Sequence, residues 1–332
     1  MTENPEQARR RPTIDDVARR AGVSSAAVSF AMNGRRGVGE ATRARILEAA
    51  GELGWSPSAP ARALGRGRAG AIGLLLARPV ETLEVDPFFL RFLAGIERAL
   101  ASTDHALLLR VLDDEGPVDP EAYGRLAAQG RVDGFLLSDV ELEDPRIDVL
   151  AKAGLPAVVA GRPAGPCPFA ALETRHAEGL AAATAHLVER GHERIGFLGG
   201  LERFEFEQAR LQAWGAELGR AGLEPGPVAF GDPAVALAAE PTALVCTSDA
   251  LAAGALAEAR ERGLSVPGDL AITGFDDSSL AALSSPPLTS VRIDYAQFGE
   301  AAAAALLAAI AEAPPPVFEP AAPRLIVRAS SG

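Results

Sequence analysis

From Ala71 onward, short apolar runs alternate with longer stretches of helical periodicity, and this alternation limits the possible folds most strongly. Strand–helix–strand repeats are the units of parallel sheets, so the pattern predicts an α/β protein. It runs through two successive series, which predicts two similar lobes. The predicted strands are 72–76, 107–111, 135–137 and 157–160, then 195–198, 243–246 and 271–273, and the predicted helices are 88–101, 121–129, 145–153, 176–190, 206–221 and 249–262.

The end of the chain is expected to complete the two lobes by crossing back. An alanine-rich helix at 296–310 and a last strand at 325–327 carry this crossing. Periodicity alone does not assign these two elements to one lobe or the other. We predict a first lobe of about 71–165 with 294–316, and a second lobe of about 166–293 with 317–332.

The stretch from Thr13 to Asn33 predicts two short helices around a tight turn. Thr13 and Asp16 have the spacing of a capping box, Gly22 ends the first helix, and Ser24 can cap the second. Such a pair is a helix-turn-helix, whose second helix enters a DNA major groove. A plain helical hairpin shows the same periodicity. The side chains that the second helix presents to the groove are Ser25, Ala26, Ser29 and Phe30.

A third helix and a linker follow this pair. Helix 40–53 is expected to turn Ile46, Leu47, Ala50 and Leu53 inward, which gives a three-helix domain over 13–56. Residues 1–12 are too poor in apolar side chains to fold alone and predict a flexible arm. Residues 57–70 predict a linker with a short helix at 59–64. A helix of that length needs a partner to order it, either DNA or a second copy of the chain.

Charge is divided unevenly along the 332 residues. Residues 1–70 contain 12 arginines and 7 acidic residues, whereas residues 71–332 contain 20 basic and 37 acidic residues. A basic head on an acidic body favours contact with phosphate through the head. The head's charge is entirely arginine, which can hold a phosphate with two hydrogen bonds.

Several classes of protein are disfavoured by the composition. Cys167 and Cys246 stand alone, so we expect no disulfide framework, no metal site and no cofactor. No apolar run approaches the roughly 20 residues that span a bilayer, and no secretory signal is recognisable, so we expect no membrane partner and a cytoplasmic protein. The four histidines stand in no recognisable nucleophile or metal motif, which argues against an α/β enzyme. The remaining alternative is a cytoplasmic solute-binding protein of the periplasmic-receptor type that does not regulate transcription.

Motifs along nearly the whole chain resemble the lactose repressor and galactose repressor family of bacterial transcription regulators. The resemblance implies a three-helix helix-turn-helix head and a hinge helix. It also implies a two-lobed core like that of periplasmic sugar-binding proteins. The motifs are Thr-Ile-Asp-Asp-Val-Ala-Arg-Arg-Ala-Gly-Val-Ser from Thr13, Val-Ser-Phe-Ala-Met-Asn-Gly from Val28, Ala-Arg-Ala-Leu from Ala61, Asp-Pro-Phe-Phe from Asp86, His-Leu-Val-Glu-Arg-Gly-His from His186, Pro-Thr-Ala-Leu-Val from Pro241, Val-Pro-Gly-Asp-Leu-Ala-Ile-Thr-Gly-Phe-Asp-Asp from Val266 and Pro-Pro-Leu-Thr-Ser-Val from Pro286.

The function that the resemblance implies is regulation of transcription, most often repression. A homodimer would read a pseudo-palindromic operator in double-stranded DNA, and a small effector, by default a sugar, would bind between the lobes. Paired hinge helices would insert Leu64 between base pairs. Phe30 departs from relatives with arginine at this position. It can pack only on a thymine methyl or on the head's own core. The DNA-contacting positions implied are Thr13, Ser24, Ser25, Ala26, Ser29, Phe30, Asn33, Ala61 and Leu64.

The resemblance also implies an effector site at the carboxyl ends of the strands. Arg210 and Asp276 would orient polar groups of the ligand, although a surface salt bridge and a helix cap are the alternatives. Phe88 and Phe89 would form an apolar wall or belong to the core, and Asp86 and Ser248 are weaker matches.

Two departures leave the ligand open. The segment 222–241 is short and lacks an aromatic residue after Gly231-Asp232, and Arg175 stands where an acid is common. A non-sugar ligand, or none, is therefore a further possibility.

Overall fold

The computed structural model describes residues 12–57, 68–78, 83, 86–112 and 119–332. Most of the predicted arm and the predicted hinge helix, with Ala61 and Leu64, lie outside the described residues. The chain forms two compact units. One extends to Gly70 and includes Gly130–Val132, and the other comprises the remainder from Ala71 to Gly332.

The N-terminal unit contains three helices, α1 (Ile14–Ala21), α2 (Ser25–Met32) and α3 (Glu40–Glu52). The predicted capping box is present, since the Thr13 backbone N–H and hydroxyl both donate to Asp16 Oδ2. Gly22 ends α1 with a left-handed φ of 64°, and the Ser24 hydroxyl accepts a bond from the Ala27 N–H. Both helices of the predicted pair therefore begin and end where local sequence signals indicate.

A small apolar core holds these helices together. Val17, Val28 and Ile46 are each fully buried in it. The prediction for Leu47 is wrong, because its side chain is 51% exposed. Neighbouring positions on a helix point about 100° apart, so Ile46 and Leu47 cannot both face the same core.

The first lobe contains a parallel sheet with strand order β2-β1-β3-β4-β5. Helices follow the strands as predicted and pack apolar faces against the sheet. The elements are β1 (Ala71–Leu76), α4 (Pro87–Leu100), β2 (Ala106–Val111), α5 (Pro120–Ala128), β3 (Gly134–Leu137), α6 (Pro145–Ala153), β4 (Ala157–Ala160) and β5 (Ala170–Leu172).

The second lobe contains a sheet with order β11-β10-β9-β8-β6-β7, parallel except for β11. Its elements are α7 (His176–Glu189), β6 (Ile195–Gly199), α8 (Glu205–Arg220), β7 (Val228–Phe230), α9 (Pro233–Ala238), β8 (Ala243–Cys246), α10 (Asp249–Glu261), β9 (Ala271–Phe275), α11 (Ser279–Leu283), β10 (Thr289–Arg292) and β11 (Arg324–Ile326).

The last long helix, α12 (Tyr295–Ile310), returns from the second lobe to the first and packs along α4. The two helix backbones approach closely at Gly95 and Gly299. A Cβ at either glycine would collide with a backbone carbonyl oxygen of the other helix. β11 then adds to the sheet of the second lobe, so the chain crosses between the lobes in both directions.

The structure moves one predicted boundary. β5 pairs with β4, so the first lobe continues to Leu172 rather than ending near 165. The sequence prediction also lacks β5, β7, β10, α9 and α11. These elements are only three to six residues long, and pairing or packing with distant parts of the chain, rather than a local pattern, sets their form.

Candidate functional site

Helix α2 carries the candidate DNA-contacting surface. Asn33 donates from Nδ2 to the Ser29 carbonyl oxygen at 2.9 Å, and the Ser25 hydroxyl donates to Asp15 Oδ1 at 2.5 Å. Asp15 therefore brings a carboxylate to the start of the recognition helix. The Ala26 side chain is exposed beside it, which leaves room for a base edge.

Phe30 lies on the outside of the head rather than in its core. Its side chain is 40% exposed and faces the loop at Gly37, where a Cβ would lie 3.7 Å from the ring. The sequence leaves two alternatives for this ring, packing on a thymine methyl or packing in the head's own core. Its exposed position fits the first. Phe30 therefore presents an apolar surface on the outside of the head.

Between the two lobes of the core lies a cavity of about 570 Å³. Its walls come from the carboxyl ends of strands and from the first turns of the helices that follow them, as expected for open parallel sheets. The structure places Asp86, Phe88, Arg210, Ser248 and Asp276 on this cavity. Phe89 is different, because it is 3% exposed and packs into the core of the first lobe.

Arg210 reaches the cavity from α8 and is 7% exposed. One of its terminal nitrogens donates to the Thr247 carbonyl oxygen at 3.0 Å, and its guanidinium lies over the rings of Phe275 and Phe206. Its Nε is buried and makes no hydrogen bond to a described residue. A surface salt bridge is therefore not the role of Arg210, and one buried donor stays open for a ligand.

Asp276 follows β9 and is 5% exposed. Its Oδ1 accepts a 2.6 Å hydrogen bond from the hydroxyl of Tyr295, the first residue of α12. Burial and the nearby Asp86 carboxylate raise the pKa of Asp276 to about 8. Asp276 does not cap a helix through its side chain, so its carboxyl group faces the cavity.

Asp86 and Ser248 each combine helix capping with a place on the cavity. Asp86, from the first lobe, accepts from the Phe88 N–H at 2.9 Å, and burial raises its pKa. Ser248, from the second lobe, accepts from the Leu251 N–H at 3.2 Å. Phe88 packs edge-on against Tyr295, with ring centroids 5.0 Å apart, and forms the apolar wall.

Several residues on the cavity were not predicted from the sequence. Arg78 follows β1 and donates from Nε and Nη2 to the two carboxylate oxygens of Asp139, which follows β3. Glu207 lies in the first turn of α8 and is 4% exposed. The positions of Arg78 and Asp139 just after buried strands were a usable signal, because that is where the sites of parallel sheets form. Others that line the cavity are Arg162, Glu173, His176, Glu205, Phe206 and Tyr295.

Polar bonds join the two lobes on either side of the cavity. Arg91 of α4 donates to the carbonyl oxygens of Asp276 and Asp277, at 2.7 and 3.0 Å. On the other side, Arg162 donates to Glu205 Oε1 through two nitrogens. The lobes are therefore held together in this conformation by interactions that a change in their relative position would break.

Metal binding and membrane insertion find no support among the described residues. No group of three or more His, Cys, Asp or Glu side chains there is arranged to hold a metal ion. In the same part of the chain, no helix combines the length and the apolar character that crossing a membrane requires.

Comparison with known proteins shows where this architecture occurs. Residues 13–58 match the model for bacterial regulatory proteins of the lacI family, and residues 184–331 match a periplasmic binding protein-like domain. The chain is 31% identical over 306 residues to the HTH-type transcriptional repressor PurR of Photobacterium profundum, covering 87% of this chain and 89% of that protein. It is 33% identical over 298 residues to the HTH-type transcriptional regulator CelR of Thermobifida fusca, covering 85% of this chain and 87% of that protein.

Solved structures give the same result for the fold. The structure of a transcriptional regulator CelR–cellobiose complex superposes with a TM-score of 0.73 at 30% identity, covering 96% of this chain and all of that one. The lac repressor dimer bound to operator and the anti-inducer ONPF superposes with a TM-score of 0.78 at 24% identity, covering 97% and 99% of the two chains. The helix-turn-helix unit and the two-lobed α/β core predicted from the sequence are thus confirmed, and the chain belongs to the lacI family of bacterial regulatory proteins.

Proposed function

We propose that the protein is a homodimeric transcription regulator that acts as a repressor. A hydroxyl-rich effector bound between its lobes controls its affinity for a pseudo-palindromic operator. The observation that carries this proposal is the cavity, where Arg210 from one lobe and Phe88 from the other line a common space. A ligand that touches both lobes favours one arrangement of them over another. That preference is what couples a small molecule to DNA affinity.

Contact with DNA is assigned to the head. Ser24, Ser25, Ser29 and Asn33 supply neutral donors for phosphates, while Ala26 and Phe30 offer apolar contact to thymine methyl groups. Thr13 stands at the start of α1. Ala61 and Leu64, in the proposed hinge helix over 57–70, would order on DNA and open a base step in the minor groove. Specificity would then depend on this wedge as well as on α2.

The effector is assigned to the class of saccharides. Arg210 offers a donor, Asp86 and Asp276 offer acceptors, and the Phe88 ring offers an apolar face, a combination that suits a ring bearing hydroxyl groups. The cavity of about 570 Å³ has room for more than a single sugar ring. Similarity to a regulator solved with cellobiose supports the same class. Arg175 pairs with Glu178 through Nε, at 2.7 Å, and is not among the described residues that line the cavity.

The alternative is a binding protein without a regulatory role. The family match over 13–58 favours regulation, because a pure solute receptor has no use for a DNA-binding head. We also propose that the protein is not an enzyme, that it needs no cofactor, and that it works in the cytoplasm, where its operator is found. The family's role as regulators supports each of these points.

Binding to the DNA upstream of the protein's own gene tests this function. A footprint over a pseudo-palindrome is expected, and the affinity should fall steeply as salt rises, since several phosphates are contacted. A thermal-shift screen of saccharides should then yield a ligand that raises Tm in a concentration-dependent way and alters the footprint. Arg210→Ala should abolish that response and leave DNA binding in place. A ligand that stabilises the protein without changing operator affinity would support the alternative.

A further inference from the structure

We infer that the effector carries a positive charge, and that the cavity is built for an amine-bearing, hydroxyl-rich molecule such as an amino sugar rather than a neutral sugar or an anion. This inference rests on the proposed function, since it names the chemical class of that same effector. Three observations support it. Acidic side chains outnumber basic ones on the cavity, two of the three arginines there form ion pairs within the protein, and one buried carboxylate oxygen has no hydrogen-bond donor among the described residues.

Acidic side chains outnumber basic ones on the cavity walls. The acids there are Asp86, Asp139, Glu173, Glu205, Glu207 and Asp276, and the cations are Arg78, Arg162 and Arg210, with His176 beside them. Burial lowers the pKa of His176, so this imidazole is neutral near pH 7. Ionised, these acids would give the cavity more negative than positive charge in a region where charge is poorly solvated.

Ion pairs within the protein use up most of the positive charge. Both carboxylate oxygens of Asp139 are bound by Arg78, and Glu205 is bound by Arg162. Arg210 forms no ion pair with a described residue. It is the one arginine among the described lining residues left to balance the four acids that form no ion pair with an arginine, which are Asp86, Glu173, Glu207 and Asp276. At least one positive charge is missing from this set.

Glu207 shows where that charge belongs. Its Oε1 accepts a 3.0 Å hydrogen bond from the Thr247 hydroxyl, but its Oε2 is buried and makes no hydrogen bond to a described residue. A carboxylate oxygen left without a donor in a dry site is costly, and a ligand N–H would satisfy it. Because carboxylates only accept hydrogen bonds, an ammonium group with three donors suits this place better than a hydroxyl.

A bound cation would stabilise the charged forms of the buried acids. Burial raises the pKa of Asp86, Glu207 and Asp276, so each favours its neutral form until a cation approaches. A ligand carboxylate or phosphate would add repulsion to this cost. The ring of Phe88 on the same cavity is an aromatic surface of the kind that attracts a cation.

Three β-1,4-linked disaccharides of different charge test the inference on the full-length protein. They are cellobiose, which is neutral, the β-1,4-linked dimer of glucosamine, which is cationic, and cellobionate, which is anionic. Isothermal titration calorimetry at about pH 6.5 keeps the amines protonated. We expect the glucosamine dimer to bind at least about tenfold more tightly than cellobiose, the worth of one charge-assisted bond, and cellobionate to bind least.

Variants of Glu207 locate the source of the preference. Glu207→Gln should remove most of the preference for the amine over cellobiose, and Glu207→Asp, which keeps the charge, should retain part of it. Glu202→Gln is the matched control, because Glu202 is exposed and is not among the residues that line the cavity. It should leave the preference unchanged.

The possible failures are distinguishable. Cellobiose binding as tightly as the glucosamine dimer would overturn the charge inference and leave the saccharide effector in place. A preference for the amine that survives intact in Glu207→Gln would also overturn it. If none of the three sugars binds or alters operator affinity, the proposed effector class fails together with this inference.

Discussion

The hydroxyl of Tyr295 donates a 2.6 Å hydrogen bond to Asp276 Oδ1, which joins the start of the returning helix α12 to the carboxyl end of β9. Both side chains are almost completely buried at the cavity. This bond favours the charged carboxylate and so works against the rise in the pKa of Asp276. The protonation state is instead governed by burial and by the neighbouring carboxylate of Asp86.

The buried acid predicts a stability that declines with rising pH. The pKa of Asp276 is about 8 in the folded protein, against about 3.9 in an unfolded chain. Between these values the folded state binds more protons than the unfolded state, so the free energy of unfolding falls as pH rises. Asp276→Asn removes this pH dependence while keeping an acceptor for Tyr295.

Melting curves at pH values spanning about 5 to 8 measure the difference. We expect wild type to lose at least about 1 kcal/mol more than Asp276→Asn across this interval, which is roughly 2–4 °C in Tm for a domain of this size. Asp269→Asn is the control, because Asp269 is exposed and its pKa is lowered by bonds from Ser265. Parallel curves for wild type and Asp276→Asn would refute the assignment.

The small core of the head predicts a sharp contrast between two neighbouring residues. Ile46→Ala removes a fully buried side chain and should cost about 2–5 kcal/mol, enough to unfold a three-helix unit with few buried residues. Leu47→Ala, one position along and 51% exposed, should change little. Gel-shift assays should show loss of DNA binding for Ile46→Ala alone, while both variants keep effector binding. Equal effects of the two variants would contradict the packing described for α3.

The bonds from Arg91 across the cavity predict a role in holding the lobes together. Arg91→Ala removes two bonds to the carbonyl oxygens of Asp276 and Asp277, and bonds from a charged donor contribute about 1.5–3 kcal/mol. Hydrogen-exchange mass spectrometry should show at least roughly tenfold faster exchange in the segment 276–278. Arg98→Ala, which loses only an exposed pair with Glu300, is the control. Unchanged exchange in Arg91→Ala would mean that other contacts hold the lobes.

The proposed wedge predicts a difference between specific and nonspecific DNA. Leu64→Ala should weaken operator binding far more than binding to unrelated DNA, because only the specific complex requires an opened base step. Since one unstacked step is worth a few kcal/mol, the specific affinity should fall by about tenfold or more. Titrations with both DNAs at one salt concentration measure the ratio. A uniform loss on the two DNAs would argue that Leu64 acts only in folding.

The parts of this fold that follow from the sequence are those with local causes. The capping box at Thr13, the left-handed turn at Gly22 and the buried runs of β1 and β8 are each specified by residues near one another in the chain. Short elements such as β5 and β7 take their form from the strands they pair with, so no local pattern predicts them.

The sequence predicts where the cavity lies, but not the ion pairs that line it. Arg210 and Asp276 were identified through family resemblance. Phe88 lies on the cavity and Phe89 in the core, so the two alternatives left open for these residues divide between them, because adjacent residues on a helix cannot share one direction. The pairing of Arg78 with Asp139 joins residues 61 positions apart. Such a contact depends on the register of β1 with β3, which the sequence does not display.

The close approach of α4 and α12 has a consequence for protein engineering. Each helix delivers cavity residues, Phe88 from α4 and Tyr295 from α12, and Gly95 and Gly299 let their backbones touch. Replacing one helix with a helix that has any other residue at the glycine position would place a side chain against a carbonyl group of the other helix. Chimeric regulators that change ligand preference should therefore exchange α4 and α12 as a matched pair, and natural divergence at one helix should be accompanied by change at the other.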